Sequence, residues 1–287
     1  MEITYGLSGC RYQFYEPSDF LKPFVRGYTF TEGFDQFANS LIYGLSTGLP
    51  ELIFHYEDSE LFSFEDYKKR TEQHKGCFVG SYPIKRPHRI FYRKIKMMSI
   101  LLNHSSLALL FGIPISELPH HAVEFTDITG DKAKKIIDTI ANATSNNKRI
   151  EIIESYFKQQ LHRYNAFNDA ISKYLAHVFL TKGKVTVQQL CNDFFITRKT
   201  LERLFQKNCN MTPKEFIRIV RFNHACTILM QRKSNVWQDI ISECGYYDQS
   251  HFINEFKFLL KDTPNNVINN SNKLFYLRRP YLITTQK

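Results

Sequence analysis

The last hundred residues contain one sequence pattern written twice. The first copy runs from Val187 to Phe205 and the second from Val236 to Phe256. Each copy predicts a short helix, a tight turn and a second helix with a polar outer face. This repeat constrains the fold strongly, because it predicts an all-α C-terminal region that contains two helix-turn-helix units.

The apolar positions of the two copies align, with one change of spacing. Leu190 in the first short helix corresponds to Ile240, which lies 50 residues later. In the second helix the separation is 51 residues, as between Leu201 and Phe252. The difference predicts that the turn of the second copy is one residue longer.

Helix starts in this region are marked by residues that cap helix N-termini. A Thr, Asn or Asp side chain accepts a hydrogen bond from a free backbone N–H of the first turn, and a Glu or Gln three residues later can bind back. Pro213 suits the first position of a helix. The expected caps, with such partners where they occur, are Thr186 with Gln189, Thr212 with Glu215, Asn235 with Gln238, and Asp248.

A longer linker helix is predicted between the copies, over about residues 213–231. Phe216, Val220 and either Ile228 or Leu229 supply its apolar stripe. In the second copy, Gly245 suits the positive φ that follows many helix ends. Phe195 stands at the corresponding place in the first copy and predicts a less regular turn there.

Helical periodicity divides the second helix of each unit into an inner and an outer face. The inner face holds Leu201, Leu204 and Phe205 in the first unit, and Phe252 and Phe256 in the second. The outer face is Arg198, Lys199, Glu202 and Arg203 in the first unit, and Gln249, Ser250, Ile253 and Asn254 in the second. These residue types can bind base edges in a DNA groove. A merely solvated helix face is the alternative.

The charge of the chain is concentrated beside the repeat. Residues 182–287 carry 17 basic and 8 acidic side chains, whereas residues 1–181 carry 21 and 20. A basic C-terminal third beside a nearly neutral remainder predicts a polyanionic partner for that third, with double-stranded DNA favoured.

The C-terminal region resembles the DNA-binding domain of AraC/XylS-family transcription regulators over about residues 180–266. The resemblance rests on the linker-helix pattern Arg221-x-x-x-Ala225-x-x-Ile228-Leu229 and on the second unit from Gly245 to Lys257, followed by Thr263-Pro264. It implies that the second helix of each unit enters the major groove, with the two helices about 34 Å apart. The chain departs from the family pattern at Cys191 and Asn210.

Further basic residues are expected to contact phosphate or to remain solvated rather than to bind bases. For Arg221, the alternative to a phosphate contact is a structural role inside the domain. As a hypothesis, the charged first unit supplies electrostatic affinity and the uncharged second unit supplies sequence discrimination. The predicted phosphate contacts are Lys207, Lys214, Arg218 and Lys257.

The N-terminal part predicts a different fold class. Segments at residues 28–31, 51–56 and 89–96 are rich in β-branched and aromatic residues, and helical periodicity begins at Asp131. Further helices are predicted from Arg149 to Tyr164 and from Asp169 to Leu180. Residues 99–102 and 107–111 are apolar runs of ambiguous type. We predict an α+β protein with a β-rich N-terminal domain over 1–165 and a DNA-binding domain over 166–287, whose units span about 186–208 and 235–260.

The N-terminal domain more loosely resembles the β-rich, often cupin-like domains of some AraC-family regulators, over about residues 12–130. The resemblance implies binding of a small-molecule effector, formation of a homodimer, or both. His55, His88, His104, His120 and His121 lack the close spacing of a metal site, so no metal or cofactor is predicted. The sequence shows no catalytic triad, paired carboxylates or phosphate loop, and we predict that the protein is not an enzyme.

The sequence favours a bacterial cytoplasmic protein. Six cysteines occur without a Cys-x-x-Cys pair, which is typical of buried, reduced thiols. No apolar run reaches the ~18 residues that span a bilayer, and the first residues predict no signal peptide.

The predicted function is sequence-specific transcription regulation, with RNA polymerase as a further candidate partner. Two rivals stay open. One is a cupin-like enzyme with an accessory helical domain, and the other is a protein-interaction module that no longer binds DNA.

Overall fold

The computed structural model describes residues 10–33, 42–44, 48–57, 60–65, 69–72, 75–79, 88–113, 115–118, 123–161, 171–231, 237–260 and 263–269. Its strands are β1 (Cys10–Tyr15), β2 (Val25–Gly33), β3 (Ile42–Gly44), β4 (Glu51–His55), β5 (Glu60–Glu65), β6 (Lys69–Glu72), β7 (Gly76–Val79), β8 (His88–Leu102) and β9 (Val123–Glu124). Its helices are α1 (Ser106–Phe111), α2 (Phe125–Thr129), α3 (Asp131–Ala141), α4 (Asn146–Leu161), α5 (Ser172–Leu180), α6 (Val187–Asp193), α7 (Arg198–Cys209), α8 (Pro213–Gln231), α9 (Trp237–Cys244), α10 (Gln249–Leu260) and α11 (Pro264–Asn269).

The N-terminal strands pair antiparallel around the long strand β8. Residues 95–102 of β8 pair with β2 on one side, and residues 97–101 pair with β4 on the other. The other end of β8, residues 88–94, pairs with β3 and β5. The three predicted strand segments lie in β2, β4 and β8. Of the two ambiguous runs, residues 99–102 complete β8 and residues 107–111 belong to helix α1.

Helices α1 to α4 cover one side of this sheet with an aromatic core. The buried ring of Phe125 lies 5.6 Å from Phe54 of β4 and 6.1 Å from Tyr156 of α4, with edge-to-face geometry in both pairs. Tyr28 of β2 donates a hydrogen bond of 3.1 Å to Glu154 of α4. The backbone N–H of Ser18 donates to the same carboxylate oxygen at 2.8 Å, so this buried acid is satisfied from two directions.

The predicted helices after residue 131 are present with shifted limits. The helix expected from Arg149 begins at Asn146, whose side-chain amide donates to Gln13 at 2.7 Å. The helix expected from Asp169 is described from Ser172, and residues 162–170 lie outside the described residues. The proposed division between residues 165 and 166 falls in that range and stays a prediction.

A second hydrophobic core joins helices α5 to α10, and it also includes side chains of the sheet. Phe14, Leu49 and Leu101 belong to this cluster. The ring of His104 lies 5.5 Å from that of Phe216 on α8. The sheet region therefore packs directly against the linker helix.

A cation–π contact also joins the sheet region to the C-terminal helices. The guanidinium carbon of Arg26, on β2, lies 4.4 Å from the centre of the Phe179 ring on α5. A short 3-10 turn at Ile115–Glu117 packs against α7. Among the described residues, no helix is long and apolar enough to cross a membrane.

Candidate nucleic-acid interface

The first helix-turn-helix unit consists of α6, a four-residue connection and α7. Thr186 caps α6 in a reciprocal capping box. Its hydroxyl accepts a hydrogen bond from the Gln189 N–H at 3.1 Å, and the Thr186 N–H donates to the Gln189 side chain at 2.8 Å. Phe195 ends the helix in the left-handed region with φ of 51°. The N–H of Ile196 then donates to the carbonyl of Cys191 at 3.0 Å, which closes the turn.

The second unit repeats this geometry in α9 and α10. Gly245 takes the left-handed position with φ of 70°, and the N–H of Tyr246 donates to the carbonyl of Ile241 at 3.0 Å. The prediction that Phe195 makes the first turn less regular is therefore wrong. The Phe195 backbone adopts the conformation that glycine supplies in the second unit.

The caps of the two second helices explain the change in spacing. Thr197 caps α7 by accepting from the Thr200 N–H at 3.3 Å, and Asp248 caps α10 by accepting from the His251 N–H at 2.7 Å. The left-handed residues of the two units are 50 positions apart, but these caps are 51 apart. Tyr247 is thus the extra residue of the second turn, as the sequence offset predicts. The predicted cap at Asp248 is confirmed, whereas Asn235 lies outside the described residues.

Helix α8 holds the two units at a fixed separation. Thr212 caps it, accepting at 3.2 Å from the Glu215 N–H, and Pro213 is its first residue, as predicted. The ring of Phe216 near its start lies 5.7 Å from Phe205 of α7. The ring of Phe222 lies 4.8 Å from Phe256 of α10. One continuous helix therefore supports both second helices, which we call the reading helices.

The outer face of the first reading helix is exposed as its periodicity predicts. Leu201 and Phe205 are fully buried. Arg198 donates to Glu202 at 2.9 Å across one helical turn, so part of the basic charge is already paired. The exposed outer residues are Arg198, Lys199, Glu202 and Arg203.

The second reading helix carries no charged side chain among its four predicted outer residues. Phe252 and Phe256 are fully buried beneath it. Ile253 is half-buried at the edge of the face. The exposed members of the predicted set are Gln249, Ser250 and Asn254. The predicted outer set is thus charged in the first reading helix and uncharged in the second, and Lys257, one turn after Ile253, is exposed on the same side of α10.

The basic residues assigned to phosphate contacts fall into two groups. Lys207, Lys214 and Lys257 are exposed. Arg218 instead forms a two-pronged pair with the buried Glu255 of α10, at 2.9 and 2.8 Å, and this pair raises the pKa of the guanidinium. Arg221 donates to the carbonyl of Gly183 at 2.7 Å, in line with the structural alternative considered for it.

Sequence reasoning missed the role of Glu255, because its partner lies 37 residues away. The position of Glu255 between the inward Phe252 and Phe256 was a usable signal, because a carboxylate on the inner face of a helix requires a partner. Thr197 was also missed, although it stands directly before the reading helix as a capping residue would.

The thiols and histidines of this region are structural in character. Cys191, Cys209, Cys226 and Cys244 are free and buried, as predicted. Burial lowers the pKa of His224 to about 4, and the nearby Lys182 adds to the shift. Within the described ranges, no group of His, Cys, Asp and Glu side chains could hold a metal ion. His120 and His121 lie outside those ranges.

A cleft of about 390 Å³ opens between the helices of the N-terminal region. Its lining combines apolar and aromatic side chains with an acid, a base and an amide. The lining residues are Leu110, Phe111, Ile128, Thr129, Asp131, Lys132, Tyr156 and Gln160. Its volume lies within the range of ~300–1,000 Å³ that is usual for small-molecule sites.

The family model described as "Helix-turn-helix domain" matches residues 190–270, which hold both reading helices and the linker helix. The C-terminal region therefore contains a helix-turn-helix domain. The matched residues include the turns of both repeated units, and an equivalent hydrogen bond closes each turn.

Two curated relatives are transcription regulators. The lactose operon transcription activator of Staphylococcus xylosus is 35% identical over 72 residues, which are 25% of each chain. The HTH-type transcriptional regulator ArgR of Pseudomonas aeruginosa is 25% identical over 130 residues, 44% of this chain and 39% of that one. The matches thus span about a quarter and two fifths of the relatives' lengths.

Solved structures show weaker likeness. ToxT from Vibrio cholerae is 12% identical with a TM-score of 0.46, covering 80% of this chain and 92% of that one. The AraC-like transcriptional activator CuxR is 13% identical with a TM-score of 0.25, covering 77% and 79%.

Proposed function

We propose that this protein is a sequence-specific DNA-binding transcription regulator. Helix α7 enters one major-groove segment and helix α10 enters the next, about 34 Å along one face of the duplex. The observation that carries the proposal is the pair of exposed polar faces on equivalent helices, both supported by α8. The matched helix-turn-helix family and the basic charge of residues 182–287 support it.

The side chains divide by role in this proposal. Arg203 and Lys199 bind guanine edges or nearby phosphates, and Asn254 and Gln249 bind adenine edges. Lys207, Lys214 and Lys257 contact phosphates and carry no sequence information. Arg218 is held by Glu255, so its contribution to DNA binding is to fix the angle of the second reading helix.

Alanine substitution of one base-reading residue in each unit tests the proposal. A duplex is first selected from a random pool with the full-length wild type. Arg203→Ala and Asn254→Ala are each expected to weaken binding to that duplex about 5- to 150-fold, because one bidentate base contact contributes ~1–3 kcal/mol. The measurement is fluorescence anisotropy titration at fixed salt.

Matched substitutions elsewhere in the chain serve as controls. Lys135→Ala on α3 and Asn147→Ala on α4 alter exposed side chains far from the repeat in sequence. Both should bind the selected duplex like the wild type. Wild-type affinity of Arg203→Ala and Asn254→Ala, with circular dichroism showing all proteins folded, would contradict the proposal.

We propose that the N-terminal region senses a small molecule, with the cleft beside Tyr156 and Phe111 as its site. Apolar and aromatic lining residues together with a few polar groups are usual for such sites. ToxT from Vibrio cholerae has been solved with a bound unsaturated fatty acid and with a bound naphthalenyl butenoic acid. A ligand should raise the unfolding temperature of the full chain in a metabolite screen, and the bulkier Ile128→Trp variant should lose that response.

A further inference from the structure

The two most exposed large apolar side chains in the described parts of the chain are Phe195 and Tyr247. They are 97% and 92% exposed. Their neighbours behave differently: Phe194 and Ile196 are half-buried, and Tyr246 is buried. Single exposed apolar residues are common on protein surfaces, but Phe195 and Tyr247 lie in the equivalent turns of the two repeated units.

The aromatic ring of Phe195 is exposed to solvent and adds no buried packing to the fold. Its φ of 51° is the left-handed conformation, in which a residue with a Cβ is disfavoured and glycine is not. The second unit has Gly245 at this place. A bulky residue retained in a strained backbone position, with its ring in solvent, indicates a role outside the folded chain.

Both rings lie directly before a reading helix. Phe195 stands two residues before the cap Thr197, and Tyr247 stands next to the cap Asp248. The N-terminal residues of such a helix approach base edges. The turn before them therefore lies near the sugar–phosphate wall of the groove.

We propose that Phe195 and Tyr247 pack against deoxyribose groups at the mouth of the groove that each reading helix enters. These contacts are apolar supplements to a charged interface and rest on the proposed function. Duplex DNA is favoured over a protein partner because Arg198 and Lys199 stand immediately beside the first ring's turn.

Replacement by glycine separates this role from a structural one. Phe195→Gly relieves the left-handed strain, so the urea midpoint of the full chain should rise. Its affinity for the selected duplex should fall about tenfold, because apolar contact area is lost. The slope of log Kd against log salt should stay unchanged, because no phosphate charge pair is removed.

The second ring and a control complete the experiment. Tyr247→Ala should weaken binding to a similar extent, and Tyr247→Phe should retain most of the affinity. Phe20→Ala removes an exposed ring from the N-terminal region and should leave binding unchanged.

The outcomes distinguish the two proposals. A wild type that selects no duplex overturns the proposed function and this inference with it. A wild type that binds while Phe195→Gly and Tyr247→Ala bind equally well overturns the inference alone. Unchanged binding with reduced transcription from a reporter would assign the rings to a protein partner and also overturn it.

Discussion

His104 shows how a single titratable side chain can depend on the packing of two regions. It is fully enclosed beside Phe216 of α8. Burial lowers its pKa to about 3, the charge of Arg26 adds to this effect, and the Gly48 backbone opposes it. The imidazole is therefore neutral in the folded protein at any pH near neutrality.

This displaced pKa predicts a pH dependence of stability. Below pH 6.5 the unfolded chain protonates this histidine while the folded chain does not, until the pH approaches 3. The free energy of unfolding should therefore fall by about 1.4 kcal/mol per pH unit over that window from this residue alone. Stability is fully retained above pH 6.5. His104→Phe, which keeps an aromatic ring beside Phe216, should remove this part of the slope.

Urea unfolding of wild type and variant at pH 4.5, 5.5, 6.5 and 7.5 provides the measurement. The other titrating groups, His224 among them, are common to both proteins and cancel in the difference. Parallel stability curves for the two proteins would show that His104 is protonated in the folded state, contrary to its enclosure.

At the scale of elements, the tie between α8 and α10 is the ion pair of Arg218 with Glu255. The carboxylate is almost fully buried and accepts two bonds from one guanidinium. Arg218→Ala leaves that carboxylate uncompensated, and the expected loss is about 3 kcal/mol of unfolding free energy. The urea midpoint of the full chain measures it.

Arg198→Ala is the matched control for this prediction. Arg198 and Glu202 also form an ion pair at 2.9 Å, but both groups are exposed on one helix. Such an exposed pair is screened by solvent and contributes little to stability. Arg218→Ala combined with Glu255→Ala should recover part of the larger loss, since no charge is then left buried alone. Equal costs for the two single variants would contradict the structural role of Arg218.

The C-terminal helices could be predicted closely because their determinants are local. Capping residues stand within three positions of the N–H groups they bind, as at Thr186 and Thr212. The apolar period defines the inner face without knowledge of what covers it. The candidate site could be predicted for the same reason, because the outer face of each reading helix consists of the positions that do not belong to its apolar inner face.

The N-terminal sheet and the interface could not be predicted in this way. Strand β8 pairs with β2, β3, β4 and β5, and each register depends on residues far away in sequence. The run at residues 107–111 has no period that separates strand from helix, and packing against α4 decides it. The pairing of Arg218 with Glu255 depends on how α8 and α10 cross.

On the scale of the whole molecule, the two regions share one hydrophobic cluster. Leu101 of β8 and Leu49 beside β4 are buried with helices of the helix-turn-helix domain. Arg26 over Phe179 and His104 beside Phe216 reinforce the same contact. The packing between the two regions therefore runs through α5 and α8, which carry Phe179 and Phe216.

The extra residue at Tyr247 makes the two helix-turn-helix units unequal. One unit has a short turn and a charged predicted outer set, and the other has a longer turn and an outer set without charged side chains, so rotation by half a turn does not superimpose them. A single chain on duplex DNA would therefore distinguish upstream from downstream. Inverting its binding site in the duplex would therefore exchange the positions of the two helix-turn-helix units relative to any neighbouring partner.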